Sequence, residues 1–291
     1  DDSDPRVNDP GVHAIHRRLR RLSDEYPGTV LVGEIWVDDN TRFGEYVRPD
    51  ELHLAFNFRL AQAEFTAESI RSAIENSLAA VRPVGAAATW TLSNHDVVRE
   101  VTRYGGGVLG QARARAMALV ELALPGAVFV YNGSELGLPE VTDIPAEALR
   151  DPIVARSSGA QIGRDGCRVP LPWSGDQAPF GFSSSDNTWL PMPDRWRDYT
   201  VERQDQQEDS MLALYRRAIA VRRKMAVAEA DIAWLPAPAG CLRFRGIGGV
   251  ECWVNTGNEP IAVGSREMLL ASAPMVSGGL PSNAAVWFAG S

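Results

Sequence analysis

The sequence predicts an α/β chain in which parallel strands alternate with helices, followed by a small antiparallel all-β region. Three observations predict it. Short β-prone runs such as 29–32 and 89–92 stop at polar, ionisable residues, and helix-length segments separate them. Two of those strand ends carry acids, Glu34 and Asp96. Beyond residue 227 the texture changes to brief β-prone runs punctuated by Gly, Asn, Pro and Ser.

Taken in order, residues 1–9 are polar and acidic and read as a loop. Asn8 or Asp9 is a helix cap, with Pro10 in the first turn. Val12, Ile15, Leu19, Leu22 and Tyr26 then recur every three or four residues, which predicts a helix that buries them. Arg17, Arg18, Arg20 and Arg21 are expected on its solvated side. His13 and His16 lie on or beside the apolar face, without acidic or cysteine partners at ligand spacing. Pro27-Gly28 ends the helix, and 29–32 is expected as a buried strand that delivers Glu34.

Residues 52–58 form the next expected strand, with Phe56 and Phe58 in the core or bordering a pocket. Thr66 starts a helix whose Ile70, Ile74, Leu78 and Val81 make a buried stripe, stopped by Pro83 and Gly85. A strand through 86–92 delivers His95 and Asp96. The Ala-, Arg-, Met- and Leu-rich segment 111–124 is a helix ended by Pro125-Gly126, and 127–131 is a strand. From 139 to 208 no period lasts, and so long an irregular segment in a compact domain is usually functional. Trp173, Trp189 and Trp196 are expected to form its Pro-braced core. Asp209 or Ser210 caps a last helix with Leu212, Tyr215 and Ile219 on one side. The runs 242–245, 251–255, 261–263, 268–271 and 285–288 predict an antiparallel sandwich. The expected domains are therefore 1–227 and 228–291.

Each acidic strand end has a plain reading when taken singly. Glu34 is then a solvated acid, and Asn94-His95-Asp96 is a polar turn. As a pair at the ends of strands in a βαβ series, Glu34 and Asp96 become candidate carboxylates facing one cleft, because the carboxyl edge of such strands is where chemistry is done.

Four ordered segments make the sequence resemble the family 13 glycoside hydrolases, the α-amylase superfamily, and most of all their α-glucosidase and oligo-1,6-glucosidase branch. Glu34, within Val32-Gly33-Glu34-Ile35-Trp36, matches the family's general acid/base motif. Asn94-His95-Asp96 matches the motif of its transition-state-stabilising Asp and neighbouring His. Residues 131–138 are similar to its segment at barrel strand eight, and 164–173 resemble the following segment with a sugar-binding Arg, here Arg168.

The resemblance implies that the chain is strands five to eight of a TIM (β/α)8 barrel, followed by the small all-β sandwich domain. It implies Glu34 and Asp96 as catalytic residues and His95 and Arg168 as substrate-binding ones. The family's nucleophile, an Asp two residues after an Arg, has no match, and Asp1, Asp2 and Asp4 lack that setting. No nucleophile, metal site or cofactor is therefore expected in this chain. The chain is read as the C-terminal half of a retaining α-glucosidase acting on maltose- or isomaltose-type substrates, inactive by itself. Its expected partners are the sugar and either an N-terminal half or a second copy. Transglycosylase, sugar isomerase and non-catalytic binding protein are the alternatives.

Composition narrows the classes. A net charge of −8 argues against a general nucleic-acid or membrane-surface binder. No stretch approaches the roughly 20 apolar residues of a membrane span. Cys167, Cys241 and Cys252 are too scattered for a disulfide framework or zinc site, which suits a cytoplasmic location.

Overall fold

A computed structural model describes residues 7–225 and 231–290. Asp1, Asp2 and Asp4, and the boundary expected near residue 228, lie outside the described residues. The chain divides into two compact units: 1–91 with 124–129, and 92–123 with 130–291.

The first unit holds helices α1 (Gly11–Asp24), α2 (Asn40–Tyr46), α3 (Arg59–Gln62) and α4 (Ala67–Val81). Its strands are β1 (Val32–Glu34), β2 (Leu54–Phe56), β3 (Thr89–Trp90) and β4 (Ala127–Val128). β1 pairs with β2 in parallel, Val32 opposite Leu54 and Glu34 opposite Phe56. β3 pairs with β4 in parallel, Thr89 opposite Ala127. The Thr89 hydroxyl donates to Ala55 O and ties the two pairs together. Gly126, just before β4, has φ +108°, and a Cβ there would clash with Ala88 O, so only glycine fits the approach.

α4 is the element read most faithfully. Thr66 caps it by accepting from Ser69 N at 3.1 Å, and Ile70, Ile74, Leu78 and Val81 are all buried. The strands are shorter than expected. β propensity runs on past the residues whose backbone groups join a ladder.

α1 turns the other way from its prediction. Ile15, Leu19, Leu22 and, just past the helix, Tyr26 are exposed, while His13 and Ser23 are buried. The cause lies on its polar side. Glu51 is fully buried and accepts from Arg17 at 2.9 Å and Arg48 at 2.8 Å, with His13 Nδ1 at 2.8 Å. Arg20 donates to Glu51 O at 3.1 Å. A buried carboxylate is tolerated only with such partners; of the arginines expected in solvent, Arg17 supplies one to the carboxylate and Arg20 bonds the backbone carbonyl beside it. His13 thus has an acidic neighbour that sequence spacing did not reveal. The strand expected to be buried is also open: Val30 and Val32 are exposed, and β2 is the only strand partner of β1 among the described residues.

The second unit contains α5 (Glu100–Arg103), α6 (Gly107–Ala123), α7 (Pro152–Arg156), α8 (Val201–Asp205) and α9 (Met211–Met225). It also contains β5 (Ala233–Trp234), β6 (Cys241–Arg245), β7 (Glu251–Asn255), β8 (Ile261–Ala262), β9 (Met268–Ala271), β10 (Gly279–Leu280) and β11 (Ala284–Phe288). Five strands form an antiparallel sheet in the order β5-β6-β7-β11-β9, and β8 pairs with β10. In place of a simple sandwich, one face of the sheet meets α6, where Trp287 Nε1 donates to Leu119 O at 3.0 Å. The other face, through Trp253, Val286 and Phe288, joins Leu280 of β10 and Ile261 of β8. α6 is packed by β7 and β11 on one side and by α5 and α9 on others, which explains why it is buried almost all round over 114–123.

The irregular segment has its own core of Leu136, Leu138, Val141, Val169, Phe180, Leu190, Met192 and Trp196, with Leu212 from α9. Trp196 is fully buried as expected, whereas Trp173 and Trp189 are exposed.

Side-chain truncation distinguishes the two helix faces of the first unit. Ile74→Ala is expected to cost about 2–5 kcal/mol, the range for a filled core site, and Ile15→Ala to stay within about 0.5 kcal/mol. Urea midpoints of the two variants check this. Comparable losses would show that the α1 face is covered.

Candidate active site

Glu34 is the last residue of β1, so its side chain emerges at the carboxyl end of a parallel strand. It is exposed. Trp36 Nε1 donates to Glu34 Oε1 at 2.7 Å. The Trp36 indole in turn stacks on Phe58, centroids 4.3 Å apart at 19°. Phe58 lies 5.7 Å from Phe56, and Phe56 meets Phe129 edge-on at 4.5 Å. Four aromatic rings, of which Phe58 is buried and Phe56 and Phe129 half-buried, therefore form a chain of contacts that ends at the carboxylate. Trp36 thus serves Glu34 as a hydrogen-bond donor, and Glu34 remains open to solvent.

In the second unit, residues 92–96 continue the chain beyond β3. Asn94 Oδ1 accepts from Asp96 N at 2.8 Å, the side-chain turn that Asn favours. The His95 side chain is exposed, with Nε2 3.6 Å from Asp96 Oδ1. Asp96 Oδ1 accepts from Arg168 Nη2 at 2.7 Å and from Arg164 Nη1 at 2.7 Å. Arg168 Nε also donates to His95 O at 2.8 Å. The structure thus brings together His95, Asp96 and Arg168, three of the residues singled out from sequence.

Arg164 was not singled out. It stands four residues before Arg168 across the short helical turn 165–167, and that spacing sets both guanidinium groups on one carboxylate oxygen. The arginine pair at this spacing was the available signal. Arg164 is itself fixed by Asp151, which is buried. Asp151 Oδ2 accepts from Arg164 Nε at 2.7 Å and Arg164 N at 3.0 Å, and Asp151 Oδ1 accepts from Ile153 N at 3.1 Å. The Arg164 guanidinium, the leading cause, holds the Asp151 carboxyl well below the usual range, and the same bond raises Arg164. Asp165, also buried, accepts from Arg150 N and Asp151 N.

Beneath this lies Arg99, another residue without a sequence signal. It is buried and donates to Asn132 O at 3.0 Å and Cys167 O at 2.9 Å. Its guanidinium sits 5.0 Å from the Tyr131 ring, and Tyr131 Oη donates to Cys167 O at 2.9 Å. Cys167 is buried, which pushes its thiol up to about 11. Its Sγ lies 3.2 Å from His95 O and 3.1 Å from Arg164 O. A protonated thiol there packs and donates weakly, and is not set up as a nucleophile.

Over residues 1–230 the sequence matches the family described as alpha amylase, catalytic domain. A probable alpha-glucosidase of Rhizobium meliloti (strain 1021) is 34% identical over 254 residues, 84% of this chain and 45% of the relative. Oligo-1,6-glucosidase IMA5 of Saccharomyces cerevisiae is 26% identical over 75% of this chain and 44% of its own length. The crystal structure of the alpha-glucosyl transfer enzyme XgtA superposes with TM-score 0.82 at 32% identity, covering 97% of this chain and 55% of that one. The trehalulose synthase MutB from Pseudomonas mesoacidophila MX-45 shares the fold, with TM-score 0.81 at 21% identity over 96% of this chain and 58% of its own. The chain spans less than half the length of these two curated relatives.

The Asp151 carboxylate makes the anchoring of Arg164 pH-dependent. Its folded-state pKa is depressed, so the stabilisation is present above the unfolded value of about 3.9 and fades as pH falls below it. Asp151→Asn is expected to lower the urea midpoint at neutral pH, and the gap from the parent chain should narrow on acidification to about pH 3. A gap that does not change with pH would show that charge at Asp151 is not what holds Arg164.

Proposed function

Because the chain belongs to the alpha-amylase catalytic-domain family, we propose that it is part of a retaining α-glucosidase-type hydrolase for short α-glucosides, with the α-glucosidic bond cleaved through two carboxyl groups. The observation that carries this reading is the charge arrangement on Asp96: two guanidinium groups share Oδ1, and an exposed imidazole adjoins it. Such a carboxylate suits hydrogen bonding to sugar hydroxyls, contacts that tighten as positive charge develops at the anomeric carbon. With Oδ1 held by the arginines, Oδ2 is left for the sugar. His95 and the arginines add donors to the same ring. Arg168, expected to serve a sugar hydroxyl, shares that part with Arg164.

Glu34 takes the role of general acid, protonating the departing glycosidic oxygen and later drawing a proton from water. Its place at a strand terminus and its contact with an indole N–H support the role. In a retaining mechanism the attacking carboxylate stands roughly 5–5.5 Å from the acid. We assign that nucleophile to a polypeptide segment outside this chain, in keeping with a barrel of which this chain supplies the fifth to eighth strands. The isolated chain is accordingly inactive, and linkage preference rests with the segment 139–208.

A second reading, transfer of the glucosyl group to another sugar instead of water, is favoured by the likeness to an alpha-glucosyl transfer enzyme at 32% identity over 97% of this chain. It uses the same residues and differs in how water is excluded.

Turnover of p-nitrophenyl α-glucoside tests the proposal. The chain alone is expected to show none, and the chain supplemented with an N-terminal half to hydrolyse it. Glu34→Gln in the supplemented enzyme should cut kcat by about 10²–10⁴-fold, the usual worth of a positioned general acid. An unchanged rate would remove Glu34 from the mechanism. Turnover by the chain alone, abolished in Glu34→Gln, would overturn the claim of inactivity. With maltose as substrate, oligosaccharide products in place of glucose would decide for transfer.

A further inference from the structure

The second unit carries a groove that the proposed chemistry does not use. It measures about 430 Å³ and is lined by residues of α6, of α9 and the two residues before it, and of β9 with the turn that follows. Met268, Leu270, Ala271, Ala273, Pro274 and Met275 give it an apolar wall. β9 is the last strand on its side of the five-stranded sheet, so among the described residues no further strand of that sheet covers this wall.

Two arginines line the same groove, Arg115 from α6 and Arg217 from α9. Each is tethered to a backbone carbonyl. Arg115 Nε donates to Ser272 O at 2.8 Å, and Arg217 Nη2 donates to Glu208 O at 3.0 Å. Glu208 and Asp209 also line the groove, yet among the described residues no carboxylate stands within ion-pair distance of either arginine. Arg115 is half-buried. Burial lowers its pKa, Asp209 opposes the fall, and the like charge of Arg217 adds to it. Two neighbouring cations, one partly desolvated, carry an electrostatic cost that a bound anion relieves. Each guanidinium keeps N–H donors beyond its tether, in the planar fork that matches a carboxylate.

The lining chooses among ligands. None of its residues is aromatic, so it offers a sugar ring no stacking surface, and a neutral sugar makes no use of the two cations. A phosphate dianion meets the acids Glu208 and Asp209 and leaves the apolar wall unused. A monocarboxylate on a short apolar chain matches both parts, with the methionines adapting to the chain. At the ~30 Å³ that one water occupies in the liquid, the groove has room for roughly a dozen heavy atoms.

We propose that the groove between α6, α9 and β9 is a binding site for a small monocarboxylate with an apolar chain, its carboxylate held by Arg115 and Arg217 and its chain lying on Met268 and Met275. The inference goes beyond glycoside cleavage and does not depend on it. Such a group has two sources, a free short-chain acid and the C-terminus of a peptide that ends in an apolar residue.

Titration calorimetry on the whole chain tests the site without any need for turnover. Octanoate is the probe, and 1:1 binding is expected. Octanol lacks the charge and inorganic phosphate lacks the chain, and each should bind at least about tenfold more weakly, in line with the worth of hydrogen bonds to a charged group. Arg217→Gln changes an exposed residue, so it should keep the parent's urea midpoint while weakening octanoate at least about tenfold. Arg115→Lys keeps the charge and loses the fork, and should weaken octanoate in the same direction. No binding at millimolar octanoate overturns the proposal. So does octanoate binding that Arg217→Gln leaves unchanged, or octanol or phosphate binding as tightly as octanoate. A short peptide ending in leucine, compared with its C-terminal amide, separates the two sources. A free-acid peptide that outbinds both its amide and octanoate supports the site as one for a chain terminus, and octanoate that outbinds the peptide supports it as one for a free acid.

Discussion

One oxygen atom, Asp96 Oδ1, organises the candidate site of the second unit. It accepts from Arg164 and Arg168, each at 2.7 Å. Two positive charges against one negative would be unbalanced if the arginines were otherwise free. They are not. Arg164 is pinned by buried Asp151, and Arg168 is held at its Nε by His95 O. Charge-assisted bonds of this kind are roughly twice as strong as neutral ones. Because each guanidinium has a second fixed point, the carboxylate inherits a fixed position. The segment that provides Asp151, Arg164 and Arg168 is irregular, yet the ion pair on buried Asp151 and the Trp196 core make it a defined structure.

The first unit is built on a comparable anchor with the opposite consequence. Glu51 is buried and satisfied by Arg17, Arg48 and His13. Meeting the needs of this acid commits the polar side of α1 to the interior of the unit and leaves its apolar side outward. Burying an unpaired carboxylate carries a penalty of several kcal/mol, whereas leaving one leucine exposed forgoes about 1.5–3 kcal/mol. The structure accepts part of that second loss at Ile15, Leu19 and Leu22, each of them partly exposed, and keeps the carboxylate satisfied.

This is also where sequence reasoning reached its limit. Periodicity identified Ile15, Leu19 and Leu22 as sharing a face, correctly, but it cannot say whether that face has a partner. In α4 the same kind of pattern gave the right burial because the packing partners belong to the same unit. The strands β7 and β9 were legible to the residue, since turn-forming residues bracket their runs. The sheet's packing on α6 was not, because the contact between Trp287 and Leu119 joins positions 168 apart in sequence. At the site, Asp96, His95 and Arg168 were visible as motif residues. Arg164, Asp151 and Arg99 were not, as their roles come from what they touch. Trp173, Trp189 and Trp196 look alike in sequence, and only Trp196 is enclosed.

The two proposed catalytic carboxylates differ in how firmly they are held, and the difference follows their tasks. A carboxylate that stabilises positive charge must keep both its charge and its place, which two anchored guanidinium groups favour. A general acid must lose and regain a proton in each cycle, and every fixed cation beside it would oppose the protonated form. Glu34 has one neutral donor, the Trp36 indole, and that indole is steadied by stacking on Phe58. Orientation thus comes from an uncharged ring that is itself held by stacking on Phe58. Replacing Trp36 by a cationic donor would keep a hydrogen bond but add a positive charge that favours the ionised carboxylate, which works against the general-acid role proposed for Glu34.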